Sequence, residues 1–145
     1  MKKQTLYIIL GVVIVVIVLY FAFFYKQTPS ASAPTANADV LINGNALLGD
    51  YLIASNGMAL YTFANDTTSQ STCLDQCALK WPPYITSSIP VPSEDLSGTI
   101  GASARDDGSL QITYEGKPLY FWSGDRMIGD TTGNGVNGLW SVARP

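Results

Sequence analysis

The feature that most limits the fold of this chain is an internal repeat at an offset of 59 residues. Gly49 matches Gly108, Ile53 matches Ile112 and Gly57 matches Gly116. Leu60-Tyr61 matches Leu119-Tyr120, Phe63 matches Trp122, Asp66 matches Asp125 and Trp81 matches Trp140. The register runs across this span without a gap. Two copies are too few for a solenoid, in which stacked neighbours build the core. The expected solution is one core shared by two pseudo-symmetric halves packed face to face.

Each copy reads as a β-hairpin followed by an irregular stretch that ends at a Trp. In the first, Tyr51-Leu52-Ile53-Ala54 is a short apolar strand and Ala59 to Phe63 returns. Asn56-Gly57 between them favours a tight turn, because both residues tolerate positive φ. In the second, Leu110 to Tyr114 and Pro118 to Trp122 flank Glu115-Gly116-Lys117, and Asp106-Asp107-Gly108 supplies a turn just before. Pro118 cannot donate a ladder hydrogen bond and belongs at a strand start or an edge. The chain after residue 38 is rich in Gly, Ser, Thr, Asn and Tyr, which suits a loop-rich, mainly β domain. Repeat 1 covers about 40–84, a connector 85–98 and repeat 2 about 99–143. Together, residues 39–145 suffice for one modest core.

Ahead of the repeats, Leu6 to Tyr25 is a run of twenty residues without a charge, Asn, Gln or Pro. At 1.5 Å rise per residue it spans roughly 30 Å, the thickness of a bilayer's hydrocarbon core. Tyr7, Tyr20 and Tyr25 lie towards its ends, where amphipathic rings favour the interface. The alternative is a cleaved signal peptide, whose apolar region is usually about 7–15 residues. The expectation is a transmembrane helix over 6–25, with a tail at 1–5 and a flexible linker at 26–38 rich in Pro, Ser, Thr and Ala. Lys2 and Lys3 face the single Lys26 across the run, so the positive-inside rule puts the N-terminus in the cytoplasm and the domain outside.

Charge narrows the function. From Asp39 onward five basic residues stand against eleven acidic ones, a net of −6. A net-negative domain without a basic stripe argues against nucleic acid as a partner. The chain has no His, so the commonest general base and the commonest transition-metal ligand are missing.

The residues that carry the repeat also carry a resemblance. Tyr61-Thr62-Phe63-Ala64-Asn65-Asp66 and Tyr120-Phe121-Trp122-Ser123-Gly124-Asp125 are two copies of Tyr-x-(Phe/Trp/Tyr)-x-x-Asp. With the segment from Cys73 through Cys77 to Trp81-Pro82-Pro83 and with Gly116-Lys117-Pro118-Leu119-Tyr120, the chain resembles a bacterial family of predicted lipoproteins bearing this motif, also described as a secreted repeat of unknown function. The resemblance covers nearly all of 40–145. It implies an envelope location and no particular reaction, and it marks Tyr61, Phe63, Asp66, Trp81, Tyr120, Trp122, Asp125 and Trp140 as the family motif. Members are often anchored through an N-terminal Cys, where this chain has its apolar run. Many carry a His after the last Trp, where this chain has Ser141.

Cys73 and Cys77 are the only cysteines, and outside the cytoplasm two cysteines usually form a disulfide. The Cys-x3-Cys spacing is not that of a thioredoxin-like redox pair. Asp130, Thr132 and Asn134, followed by Gly135, resemble the first half of a calcium loop, but position 12 is Ser141 rather than Glu. A Gly-rich turn with side-chain hydrogen bonds is the simpler reading. The aromatics, which alternate along the strands, build either the shared core or an exposed platform for a glycan or another flat ligand. Asp66 and Asp125 are placed to cap turns rather than to act as a catalytic pair. The chain is thus expected to be a non-enzymatic, membrane-tethered module for binding or scaffolding in a prokaryotic envelope. It would need no cofactor and would meet an envelope partner or glycan. The alternative is a redox or electron-transfer accessory using Cys73/Cys77 or the aromatics.

Overall fold

The computed structural model describes Tyr20 and residues 38–145. Residues 38–145 belong to one compact unit. Apart from Tyr20, which is helical, the expected membrane segment 6–25 lies outside the described residues. Among the described residues no helix is long and apolar enough to cross a membrane.

The unit is mainly β. In chain order it contains β1 (Val40–Asn45), β2 (Gly49–Ala54), β3 (Tyr61–Phe63), helix α1 (Asp75–Lys80), β4 (Ile85–Thr86), β5 (Ile100–Ala104), β6 (Leu110–Tyr114), β7 (Lys117–Pro118) and β8 (Trp140–Val142). Strands β1 and β2 form one antiparallel hairpin, and β5 and β6 form another. The pattern reading began the first hairpin at Tyr51 and the second at Leu110, so it missed β1 and β5. Neither reads as an apolar run: β1 is Val-Leu-Ile-Asn-Gly-Asn and β5 is Ile-Gly-Ala-Ser-Ala. Their pairing to β2 and β6 makes them strands. The connector also contributes β4, which pairs with β6.

The two copies do not stack as self-contained halves; they exchange their ends. β3 of the first repeat pairs with β8, the Trp140 segment of the second. In the other half, Phe121 N–H donates to Pro82 O (2.8 Å) and Ser123 N–H to Lys80 O (3.0 Å), so the second motif pairs with the Trp81 segment of the first. The backbone bonds repeat in both halves. Leu52 N–H donates to Ala143 O, and Ala143 N–H donates to Leu60 O. Correspondingly, Ile112 N–H donates to Tyr84 O, and Tyr84 N–H to Leu119 O. The end of each repeat is thus clamped inside the other repeat's hairpin. At the centre Tyr61 and Tyr120 exchange both backbone hydrogen bonds, at 2.9 and 3.0 Å, which marks the pseudo-two-fold axis.

These bonds also correct the gapless register. Leu60 N–H reaches back to Leu52 O, but Leu119 N–H reaches to Ile112 O, one residue nearer. From the turn through the motif the offset is 59, as it is again at Trp81 and Trp140; before the turn it is 60, so Leu52 rather than Ile53 corresponds to Ile112. The cause is turn length. Glu115 (φ 50°) and Gly116 (φ 75°) form the two-residue turn with two positive φ values that was expected at Asn56-Gly57. There only Gly57 is left-handed (φ 82°), and Ala54 closes a longer loop on Met58. Asn56 acts instead through its side chain, accepting from Met58 N–H.

Two apolar clusters follow from the exchange. One holds the corresponding pairs Leu52 with Ile112 and Leu60 with Leu119, beside Val40, Ala54, Tyr114 and Ala143. The other gathers Tyr61, Tyr120, Trp81 and Trp140 with Tyr51, Cys73 and Val142. Because each repeat's Trp segment completes the other repeat, neither half can bury its own motif. Cleaving the chain within 87–98 by an inserted protease site should therefore leave two fragments that stay together and keep the native circular dichroism. Either fragment expressed alone should lack a cooperative melt. A fragment that melts cooperatively by itself would contradict the exchanged topology.

Candidate functional site

The eight motif residues converge on the pseudo-two-fold axis. Trp81 and Trp140 stack across it, with ring centroids 3.7 Å apart and planes within 3°. Phe63 stacks on the outer side of Trp140 at 4.3 Å, and Trp122 lies against Trp81 at 4.2 Å. The result is a column of four rings in the order Phe63, Trp140, Trp81, Trp122. Tyr61 and Tyr120 meet it edge-on, Tyr61 at Trp81 (5.4 Å) and Tyr120 at Trp140 (5.2 Å). The two inner rings and both tyrosines are buried, and Phe63 and Trp122 at the ends are half-buried. The aromatic face is therefore interior, not an exposed platform.

The two motif Asp residues bind across the repeat. Tyr61 Oη donates to Asp125 Oδ2 and Tyr120 Oη donates to Asp66 Oδ2, both at 2.6 Å. The other oxygen of each carboxylate closes a local turn: Asp66 Oδ1 accepts from Thr72 N–H and Oγ1, and Asp125 Oδ1 from Thr132 N–H and Oγ1. A Tyr and an Asp five residues apart in one motif therefore never bond each other; each serves the other copy. Burial, then the hydrogen bond to the carboxylate and its charge, push the Tyr61 phenol far above the ordinary tyrosine range. Burial and Asp66 do the same to Tyr120, and Ser71 partly opposes them.

Cys73 and Cys77 form a disulfide with Cα atoms 5.1 Å apart. Cys73 is fully buried just before α1, with the extended Leu74 between them, and Cys77 lies in the helix. Arg105, which the sequence did not single out, anchors this segment. Its guanidinium donates to Cys73 O (2.9 Å), Ser71 Oγ (2.6 Å) and Gln111 Oε1 (2.6 Å), and its side chain is almost wholly buried. Ser71 Oγ lies 2.7 Å from Tyr120 Oη, so Arg105, Ser71, Tyr120 and Asp66 form one polar chain beside the column. Only the burial of its stem marks Arg105, and sequence does not carry that signal.

The motif, present twice with its tyrosines and aspartates bonded crosswise, decides the family. A family model described as a secreted repeat of unknown function matches residues 45–84 and 101–144. The chain belongs to this secreted-repeat family. The family puts the repeat domain outside the cytoplasm. No curated protein and no solved structure matches the chain.

The secreted repeat's second copy contains the loop read as half a calcium site. Asp130 Oδ2 accepts from Arg126 and Met127 N–H, bonds that hold its carboxyl below the ordinary range. Thr132 bonds to Asp125, and Asn134 Oδ1 accepts from Val142 N–H. The three side chains thus serve three different turns, and among the described residues no group of three or more acidic or sulfur ligands comes together. Gly133 has a packing role. A Cβ there would lie 2.8 Å from Trp81 and 2.9 Å from Tyr61, both locked in the column.

A groove runs along the outer face of β3 and β8. About 510 Å³ of it is bordered by Thr62, Glu115, Lys117, Ser141 and Arg144. An adjoining 280 Å³ shares Thr62, Lys117 and Ser141 and reaches Phe63 and Asp66. At the pseudo-symmetric position Phe121 stands for Thr62, Pro82 for Ser141 and Met58 for Lys117. There Phe121 packs edge-on against Tyr84 at 5.0 Å.

Two predictions follow from this geometry. Gly133→Ala should destabilise the domain by about 1–3 kcal/mol through overpacking, read as a lowered melting temperature; an unchanged melt would contradict the close contact. The second concerns alkaline pH. Tyr61 and Tyr120 keep their protons in the folded state where the unfolded chain, with a value near 10, loses them. The stabilisation is complete below that value and is lost as pH rises past it. In an ultraviolet titration, at least two phenols should ionise only together with loss of structure, and Tyr61→Phe or Tyr120→Phe should each remove about one proton from that coupled step. Smooth ionisation of every phenol with circular dichroism intact would contradict it.

Proposed function

We propose that this secreted repeat is a membrane-tethered, non-enzymatic binding module of the prokaryotic envelope, and that its ligand site is the groove on the outer face of β3 and β8. The observation that carries the reading is the broken symmetry. One outer face is filled by Phe121, Pro82 and Tyr84; the matching face offers two hydroxyls, Thr62 and Ser141, two cations, Lys117 and Arg144 (the latter anchored on Leu48 O), and the half-buried ring of Phe63, while its two carboxylates are engaged, Glu115 by Thr99 N–H and Asp66 by Thr72 and Tyr120. Hydroxyls and charges around an aromatic ring suit a glycan, and the two cations favour one bearing carboxylates. They are two of only five cations in a net-negative domain, so their meeting at one groove is selective. A non-enzymatic role is supported by the absence of His and by Asp66 and Asp125, whose oxygens are all engaged in hydrogen bonds that hold the fold. The tether reading rests on the apolar run Leu6–Tyr25.

The test uses the full-length protein. It should remain with membranes after an alkaline carbonate wash, and in detergent micelles it should bind uronic-acid oligosaccharides in a calorimetric titration. Lys117→Glu should abolish that heat and Lys80→Glu, a reversal on α1, should not. Release by the wash would remove the tether. Equal heats from the two reversals, or none from the wild type, would remove the groove as a glycan site.

A further inference from the structure

The aromatic column packs the core, and the chemistry of its rings allows a second role. Three of its four rings are Trp, two stacked face to face and Trp122 tilted by 32° against Trp81 at 4.2 Å, and two buried tyrosines touch its inner members. Each tyrosine already holds its hydrogen against a carboxylate oxygen at 2.6 Å. Indole and phenol are the two side chains most readily oxidised by one electron at an aromatic ring. Rings in van der Waals contact exchange electrons readily, and a phenol loses an electron far more easily when its proton can leave in the same step.

We infer that the column is a one-electron relay that takes an oxidising equivalent in at Trp122 and stores it on Tyr61 or Tyr120. Its oxidant is an outer-sphere one-electron acceptor at the surface, such as a high-potential metal complex or an oxidising radical. Trp122 gives an electron to the oxidant, and the vacancy passes to Trp81 and Trp140. It ends when Tyr61 gives up an electron to Trp81, or Tyr120 to Trp140. The phenolic O–H bond breaks as its proton moves to Asp125 or Asp66. The products are the reduced oxidant, a neutral tyrosyl radical and a neutral carboxylic acid, and no proton leaves the protein. An electron from a one-electron reductant at Trp122 reverses every step and returns the proton to the phenol.

The repeat makes the relay directional. Trp122 and Phe63 are corresponding residues at the two ends of the column, both half-buried. A phenyl ring resists oxidation where an indole does not, so only the Trp122 end admits the vacancy. Gly124 keeps that end tight: a Cβ there would lie 2.2 Å from Trp122 Nε1. The relay does not depend on the groove, and the two can fail separately.

The experiment is flash oxidation of the full-length protein in detergent by photo-oxidised tris(bipyridine)ruthenium, followed by transient absorption and by electron paramagnetic resonance of the frozen product. The wild type should pass from a tryptophanyl to a tyrosyl radical, with the second step slowed in deuterium oxide. The double variant Tyr61→Phe/Tyr120→Phe should stop at tryptophanyl. Trp122→Phe, which keeps a stacked ring, should lose the tyrosyl product, and adding Phe63→Trp should restore it from the other end. Circular dichroism confirms that each variant is folded. A wild type whose radical stays on tryptophan would overturn the relay, as would a tyrosyl yield unaffected by Trp122→Phe. Ring-deuterated tyrosine in the wild-type chain tests the assignment without any substitution: a product spectrum unchanged by the label would also overturn it.

Discussion

The stack of Trp81 on Trp140 is the contact on which the rest of the domain depends. The two rings come from different repeats and meet on the pseudo-two-fold axis, 3.7 Å apart. Each arrives there because its segment is clamped in the other repeat's hairpin. A buried aromatic ring of this kind contributes roughly 3–5 kcal/mol, against a whole-domain stability of about 5–15 kcal/mol. The helix is a single short segment and the sheets are small, so little else could replace it. The disulfide and Arg105 work on one side of the same cluster, fixing the irregular segment that carries Cys73 where the second copy has only Gly133.

Exchange also explains the spacing inside the family motif. A Tyr on the axis and an Asp just past the strand end are too far apart to bond within one copy, yet two-fold symmetry brings each to the other's partner. The pair then does two tasks at once. One carboxylate oxygen fixes the turn that follows its own strand, and the other accepts from the buried phenol of the opposite repeat. An unpaired buried hydroxyl costs about 1–3 kcal/mol, so loss of either Asp is felt at the opposite repeat. A single copy of the motif therefore has no physical meaning by itself.

Much of this was legible in the sequence and some was not. The repeat, the mainly β character and the bridge between Cys73 and Cys77 could be read from spacing and composition, and the family from the resemblance of its motif, because each leaves a local mark. The register could not be read fully, since Gly49 and Gly108 agree at offset 59 by coincidence while the strands beside them correspond at 60. The difference sits in one turn, where Glu115, a residue that rarely adopts positive φ, takes a conformation expected of Asn56. The exchange of ends was invisible because periodicity shows which face of a strand is apolar and not which partner covers it. Arg105 was missed for the same reason. The calcium-like spacing of Asp130, Thr132 and Asn134 is a true pattern of oxygens, but its members turn to separate partners, Arg126 N–H, the Asp125 carboxylate and Val142 N–H.

A pseudo-symmetric domain also sorts its own residues. Where both copies carry the same group in the same place, the fold suffices as the reason: the Tyr pair, the Asp pair, the Trp pair and the Leu60/Leu119 pair each build one side of a common core. Where corresponding positions differ, symmetry no longer accounts for them. Phe63 against Trp122 changes which end of the column can be oxidised. Thr62 against Phe121, Ser141 against Pro82 and Lys117 against Met58 change one outer face from filled and apolar to open and polar. These four differences lie on or beside the segments that carry the motif, whose backbones are hydrogen-bonded to one another and to the Trp segments. A rigid support is what a binding groove needs to recognise a ligand without first ordering itself, and what an electron relay needs to hold its rings in contact. The duplicated positions supply stability, and the positions that have diverged between the copies are where activity has to be sought.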